Sequence, residues 1–137
     1  MSFEKLKQLV FGRAKGLCEY CKSPANISSQ PFVIEHITPK SKGGQTESEN
    51  LALSCQGCNN HKYNKTKGID KLTNKETDLH NPRKQEWVEN FAWTDDVIEI
   101  IGKNSTGRVT VDELKLNRDE LQNLRKLLAK VGKHPPK

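Results

Sequence analysis

Four cysteines form two pairs whose spacing suits a metal ion. Cys18 and Cys21 make one C-x2-C pair, and Cys55 and Cys58 make the other. Two residues between thiolates let both sulfurs reach one tetrahedral ion across a tight turn, so four sulfurs can close a structural zinc site. Two disulfides, an iron–sulfur centre or a redox C-x2-C motif remain alternatives. We favour zinc, because thiols stay reduced in the cytoplasm, where we expect this chain to reside.

A second group of residues, between the cysteine pairs, suits phosphodiester hydrolysis. That reaction needs a base for the attacking water and a divalent cation on the phosphate. His36 titrates near neutrality and can take the proton, while Glu35 and Asn59 are hard oxygen donors suited to Mg²⁺ or Mn²⁺. Glu35 can act directly or through a bound water. Because strand neighbours point to opposite faces, a twist or bulge must bring Glu35 and His36 together.

The composition narrows the choice of partner. Lysine and arginine number 23 against 17 aspartates and glutamates, and the net charge of +6 favours a polyanion such as nucleic acid. An ordinary basic surface gives the same balance. No apolar stretch is long enough for a membrane span, and the first residues lack the layout of a signal peptide, so we expect no membrane partner and a cytoplasmic location. No pattern indicates an oligomeric state.

Elements that position these residues can be predicted from periodicity and turn chemistry. An amphipathic helix should begin near Phe3 and end before Gly16, since apolar residues recur there at spacings of three and four. Pro31–Ile37 and Leu51–Leu53 are predicted strands, and Asn59–Lys65 is predicted to be the start of a helix. The two cysteine pairs therefore bracket a strand, loop, strand and helix, which is a ββα unit.

The rest of the chain has weaker patterns. Thr66–Asn81 is polar without a clear period and is predicted to be an extended connector. Val97–Ile101 and Arg108–Val111, separated by Gly102–Gly107, are predicted to form a small hairpin. Trp87 and Trp93 suit the core of this C-terminal part better than base stacking.

A terminal helix should follow the second hairpin. Asn117 and Glu120 resemble a capping box at its start, and Gly132 should end it. We therefore expect two parts, a zinc-stapled core with its N-terminal helix at 1–67 and a C-terminal extension at 68–137 that packs on the core.

The motifs between and around the cysteines resemble the HNH endonuclease family, in its zinc-knuckle-containing bacterial branch. The spacing of His36, Asn50 and Asn59 is similar to that in the HNH domain of RNA-guided nucleases. The resemblance is carried by Ile34-Glu35-His36-Ile37-Thr38-Pro39, Gly43-Gly44, Glu49-Asn50-Leu51 and Cys55-x2-Cys58-Asn59-x2-Lys62. Later segments also resemble one bacterial subgroup, among them His80-x-Pro82-Arg83 and Thr106-Gly107-Arg108-Val109-Thr110.

This resemblance implies an α+β fold, with a ββα-metal (HNH) core closed by a four-cysteine zinc knuckle, an N-terminal helix and a small C-terminal hairpin-plus-helix appendage. It also implies that His36 is the general base. The chain departs from the commonest family pattern, which has aspartate before this histidine and often histidine at the place of Asn59. Glutamate is one methylene longer than aspartate, so we expect Glu35 to hold the cation farther from the backbone or through a bound water.

The other residues near the motif are predicted to support the structure, to contact phosphate or to lie exposed on the surface. Asn50 suits a structural role, tying the loop between the strands to the backbone. Lys62 shares a helix face with Asn59 and is predicted to contact a DNA phosphate, as are Lys65 and Lys40, although a solvated charged surface explains all three. His61 points away from that face, which favours an exposed histidine without chemistry over a site residue.

The sequence thus predicts a metal-dependent endonuclease that hydrolyses DNA phosphodiester bonds, with structural Zn²⁺ and catalytic Mg²⁺ or Mn²⁺. We expect 5′-phosphate products and little reading of base sequence. The alternative is a non-catalytic, zinc-dependent nucleic-acid-binding module. His36 together with Asn59 favours the enzyme, because a binding module has no use for a base beside an ion site. Divalent-dependent nicking of a plasmid distinguishes the two.

Overall fold

The computed structural model describes residues 1–137 as a mixed α+β chain with three separate two-stranded antiparallel sheets. Its helices and strands are α1 (Phe3–Arg13), β1 (Val33–His36), β2 (Leu51–Ser54), α2 (Gln56–Lys62), β3 (Lys67–Asp70), β4 (Lys75–Asp78), α3 (Trp87–Asn90), β5 (Phe91–Trp93), β6 (Ile100–Gly102), α4 (Ser105–Leu114) and α5 (Asp119–Lys130). No helix among them is both long and apolar enough to cross a lipid bilayer.

The N-terminal half contains the predicted helix, two strands and second helix in the predicted order. Strands β1 and β2 pair in continuous register, with Ile34 opposite Leu53 and His36 opposite Leu51. Helix α1 packs Val10 against the two leucines, so it covers this face of the hairpin. Helix α2 begins three residues earlier than predicted, because Cys55 serves as its N-cap and its sulfur accepts from the backbone N–H of Cys58.

The predicted connector at Thr66–Asn81 is wrong, since most of it is the β3–β4 hairpin. The Asp70 carboxylate holds the turn by accepting from the backbone N–H of Leu72 at 3.1 Å and from the hydroxyl of Thr73 at 3.1 Å. Arg108 of α4 donates to the same carboxylate at 2.9 Å. The hairpin is therefore anchored by a distant arginine, which strand periodicity does not reveal.

The second predicted hairpin has the wrong partner strand. β6 pairs with β5, and Arg108–Val111 lies inside helix α4. Asn104 caps that helix by accepting from the backbone N–H of Gly107 at 2.8 Å. A Cβ at Gly107 would overlap the carbonyl oxygen of Asn90, so glycine permits the helix to approach β5 and β6 closely. This close packing outweighs the strand preference of the β-branched residues.

The predicted terminal helix is α5, which stops before Gly132, where φ is +74°. The capping box at its start is wrong, because Arg118 occupies the N-cap position without a side-chain capping bond. Asn117 pairs with β6 instead: its Oδ1 accepts from the backbone N–H of Ile100 at 2.7 Å, and its Nδ2 donates to the Ile100 carbonyl at 2.9 Å.

One main hydrophobic core joins the cysteine cluster to the C-terminal part. Its buried members are Cys18, Tyr20, Cys21, Cys55, Cys58, Leu79, Phe91, Ile100, Val109, Leu114, Leu116 and Leu121. Trp87 and Trp93 pack at its edge, their ring centroids 5.2 Å apart. The residues after position 67 therefore bury the cysteines and fix the orientation of α2.

Candidate metal centre and nuclease site

The four cysteines form a buried cluster of sulfur atoms. All four Sγ atoms lie within 4.8 Å of one another, and those of Cys21 and Cys55 are 3.7 Å apart. Tetrahedral zinc with Zn–S bonds of about 2.3 Å places its sulfurs roughly 3.8 Å apart. The donor set therefore fits one structural zinc ion, with no position left open for water or substrate.

Arg118 lies directly over this sulfur cluster. Its Nη2 is 3.5 Å from the Sγ of Cys55, and its Nη1 is 3.6 Å from the Sγ of Cys58. A Cβ at Gly57 would overlap Nη2, so the bare glycine leaves room for the guanidinium. Burial acts to lower the pKa of Arg118, but the neighbouring sulfurs outweigh it and raise the pKa above its usual value. No local signal in the sequence indicated this residue.

His36 stands at the end of β1 with its ring half-buried. Its Nε2 lies 2.8 Å from the hydroxyl oxygen of Thr46 in the β1–β2 loop, and its Nδ1 makes no hydrogen bond within the protein. Burial, and then the charge of Lys40, lower its pKa below the ordinary histidine value. The lowered pKa favours the neutral ring at pH 7. The hydroxyl of Thr46 orients the ring.

Glu35 points to the opposite face of β1 from His36, as regular strand alternation requires. Its carboxylate is buried, accepts from the hydroxyl of Tyr20, and lies 3.2 Å from Nζ of Lys62. Burial raises its pKa, and this effect exceeds the opposing influence of Lys62 and Tyr20. The pairing of β1 and β2 is continuous over this region, so the structure does not bring Glu35 and His36 to one centre. Direct binding of a cation by Glu35 beside His36 does not fit this arrangement.

Lys62 is inside the protein, with only 1% of its side chain exposed. Besides the ion pair with Glu35, it donates to the backbone carbonyl of Ile37 at 2.9 Å. The predicted DNA phosphate contact by Lys62 is therefore wrong for this structure. The helix face that carries Lys62 packs on β1, so the amine ties α2 to the end of that strand.

Asn50 holds the β1–β2 loop closed. Its Oδ1 accepts from the backbone N–H of Thr38 at 2.8 Å, and its Nδ2 donates to the carbonyls of Thr38 at 3.0 Å and Gln45 at 2.9 Å. A Cβ at Gly44 would overlap the Thr38 carbonyl oxygen, so only glycine fits there. Arg13 of α1 also clamps the loop by donating to the Leu51 carbonyl at 2.7 Å. The loop that follows His36 is thus tied down at both ends.

The remaining candidate residues differ in exposure. Asn59 is half-buried near the start of α2, and its side-chain amide makes no hydrogen bond in the protein. His61 is exposed on the same helix. Lys65 forms an ion pair with Glu113 at 2.9 Å, whereas Lys40 is exposed in the β1–β2 loop and has no ion pair.

The comparisons with known proteins agree with the motif. The family model described as HNH endonuclease matches residues 18–65. We refer to these residues, about a third of the chain, as the HNH domain because they match this model. No significant match was found among curated proteins or among solved structures. The HNH domain includes both cysteine pairs, the β1–β2 hairpin and α2, and it excludes Arg118.

Proposed function

We propose that this chain is a metal-dependent endonuclease that hydrolyses DNA phosphodiester bonds, with His36 as the general base. The observation that carries the proposal is the state of His36 within the HNH domain. The hydroxyl of Thr46 holds its Nε2, its Nδ1 has no partner in the protein, and burial and Lys40 lower its pKa. In this proposal, residues 1–67 contain the catalytic residues, and residues 68–137 form the extension packed on them.

The proposed chemistry at His36 follows from its two ring nitrogens. With Nε2–H donating to the Thr46 hydroxyl, the lone pair of Nδ1 faces away from that contact and takes the proton of the attacking water. The clamped loop holds Thr46 in place beside the ring, because Asn50 ties the adjacent Gln45 to Thr38. A fixed base is effective because no ordering is needed during the reaction.

A divalent cation belongs to this proposal as the group that stabilises charge on the phosphate. We assign Asn59 as a ligand of this cation, because its side-chain amide makes no hydrogen bond within the protein and an amide oxygen suits Mg²⁺ or Mn²⁺. Glu35, the second ligand expected from the sequence, is engaged by Lys62 and Tyr20 on the opposite face of β1. In the present arrangement, Glu35 stabilises the junction of β1 and α2.

The same engagement of Glu35 favours a second candidate, a non-catalytic zinc-dependent nucleic-acid-binding module. In such a module the buried Glu35–Lys62 pair has a purely structural role. The exposed Lys40, on the loop beside His36, and the net charge of +6 suit DNA binding in either case. Cleavage activity decides between the two candidates.

The experiment compares three zinc-loaded proteins on supercoiled plasmid and on labelled duplex DNA, with Mg²⁺ or Mn²⁺ added. We expect the wild type to cleave, and His36→Ala to lose at least about 10²-fold in rate while zinc content and DNA affinity stay unchanged. His61→Ala is the matched control, because it removes an exposed histidine of the same domain. Wild-type protein that binds DNA without cutting it establishes the binding module, and His36→Ala cleaving within a few fold of wild type excludes the proposed base.

A further inference from the structure

A polar cavity of about 370 Å³ opens beside the end of β1, on the side of the chain that carries α2. Ile37 and Thr38 line one wall, directly after His36. The opposite wall comes from the segment that follows β4, including His80, Asn81 and Gln85. The HNH domain and the C-terminal extension therefore build this cavity together.

The side-chain amides in the wall present hydrogen-bond donors. The Oδ1 of Asn81 accepts from the backbone N–H of Arg83 at 2.9 Å, and the Oε1 of Gln85 accepts from the backbone N–H of Asn81 at 3.1 Å. Backbone N–H groups are donors only, so they fix which end of each amide is oxygen. The two NH₂ ends make no hydrogen bond within the protein. The side-chain oxygens of Asn81 and Gln85 are therefore engaged, and their NH₂ groups remain free to donate to a ligand.

His80 is a third donor, and the same network sets its tautomer. The Oε1 of Gln85 can only accept. The end of the Asn90 side-chain amide that lies 3.2 Å from it must therefore be the NH₂ group. The same Asn90 Nδ2 lies 2.7 Å from Nδ1 of His80, which must then accept, so the ring proton is on Nε2. His80 is only 1% exposed, and its Nε2 has no partner in the protein. Burial, with Lys22 and Arg83, lowers its pKa to about 4, which keeps the ring neutral.

The charges around the cavity nearly cancel. Lys84 is exposed and has no ion pair, while Lys62 is compensated by Glu35. The exposed carboxylate of Asp78 also lines the cavity and opposes the lysine. Hydroxyls of Thr38 and Thr106 complete the wall and can donate. Apart from Asp78, the free polar groups of this wall are donors, so they suit a ligand that presents oxygen acceptors, as a phosphodiester does.

We propose that this cavity binds a backbone phosphate of the DNA strand, a few nucleotides from the phosphate attacked at His36. The inference rests on the proposed function and deepens it by assigning a second phosphate subsite. Thr38 follows His36 by two residues, a reach of at most about 7 Å along the chain. Successive phosphates advance about 3.4 Å along the axis of one strand, so the cavity lies within a few nucleotides of His36.

The test follows side-chain N–H signals by ¹⁵N–¹H NMR in zinc-loaded, full-length His36→Ala protein, which holds DNA uncut. Three probes are titrated: a short DNA oligonucleotide, the same oligonucleotide with neutral methylphosphonate linkages, and inorganic phosphate. We expect the ordinary oligonucleotide to shift the NH₂ signals of Asn81 and Gln85 and the Nε2–H signal of His80, and the methylphosphonate analogue to leave them unchanged.

Two added substitutions locate the binding. Lys84→Gln and Thr106→Val should each weaken oligonucleotide binding at the shifted signals, by about tenfold for the charged contact, while Lys130→Gln removes an exposed charge elsewhere and should not. Shifts caused by inorganic phosphate alone identify a free-anion site and overturn the assignment to DNA. Signals that respond to none of the probes, or equally to the neutral analogue, overturn the subsite. None of these outcomes depends on cleavage, so failure of the nuclease proposal is seen separately in the plasmid assay.

Discussion

The guanidinium of Arg118 lies 3.5 Å from the sulfur of Cys55, although 63 positions separate the two residues in the chain. A bound Zn²⁺ with four thiolates carries a net charge of −2, and a buried guanidinium beside it offsets part of that charge. Arg118 also fixes the start of α5 to the cysteine cluster, since it is the N-cap residue of that helix. The contact thus links the HNH domain to the C-terminal extension.

We expect Arg118→Gln to weaken zinc binding by about 10- to 100-fold, the usual effect of losing a group that supports metal ligands. Competition with a chromogenic chelator measures the change, and thiol alkylation should become faster in parallel. The zinc affinity of Arg118→Lys should lie between those of Arg118→Gln and the wild type, because lysine keeps the charge but not the paired donors. Arg108→Gln is the control, since that arginine holds Asp70 and is not in contact with the cysteines. Equal zinc retention in Arg118→Gln and wild type rejects this role.

Cys55→Ser should largely unfold the protein, because zinc binding contributes directly to the folding free energy of a domain with a small core. Circular dichroism during heating and elemental analysis for zinc test this together. Removing zinc from the wild type with a chelator should give the same loss of structure. A Cys55→Ser protein with wild-type thermal stability contradicts the prediction.

Lys62→Met should destabilise the fold by about 3–5 kcal/mol, because it leaves the buried Glu35 carboxylate without its partner. The double variant Glu35→Gln/Lys62→Met should recover much of this loss, since it leaves no buried charge. Urea denaturation of the two variants and the wild type gives the comparison. If the stability of Lys62→Met is within about 1 kcal/mol of wild type, which is the usual contribution of an exposed ion pair, then Lys62 is a surface residue in solution.

The pH dependence of cleavage should report His36. The neutral ring is the active form, so the rate should be constant at neutral pH and fall as pH drops through a pKa below the ordinary histidine value. Lys40→Gln removes one of the two causes of that lowering, so the acidic limb should move to higher pH. Lys42 does not contribute to the lowered pKa of His36, so Lys42→Gln should leave the acidic limb at the same pH. A profile of kcat/KM that is flat between about pH 5 and 7 argues against histidine as the base.

DNA affinity should fall steeply with salt, because lysine contacts to phosphate release counterions. Lys40→Ala should weaken binding to all sequences alike and reduce the slope of log K against log salt by about one. Lys65→Ala should have a smaller effect, since Lys65 is already paired with Glu113. Fluorescence anisotropy at several salt concentrations measures both slopes. Loss of binding to one sequence only makes Lys40 a base contact.

The sequence by itself determined the sulfur cluster and the local order of the elements around His36. The C-x2-C spacing predicted the sulfur cluster, because two residues between thiolates bring both to one point wherever the rest of the chain lies. The strand, loop, strand and helix around His36 also followed from local turn and capping chemistry. These features depend on neighbours in the chain, and the sequence contains that information directly.

Only the tertiary structure decided which residues meet. Lys62 is predicted on the correct helix, but packing of that helix on β1 turns its amine inward to Glu35 and away from DNA. Strand alternation then places Glu35 and His36 on opposite faces, and no bulge corrects this. Contacts between distant parts of the chain position Arg118 and His80. A hydrogen bond between side-chain amides positions Gln85. Such contacts depend on how elements pack, which the periodicity of a single segment does not encode.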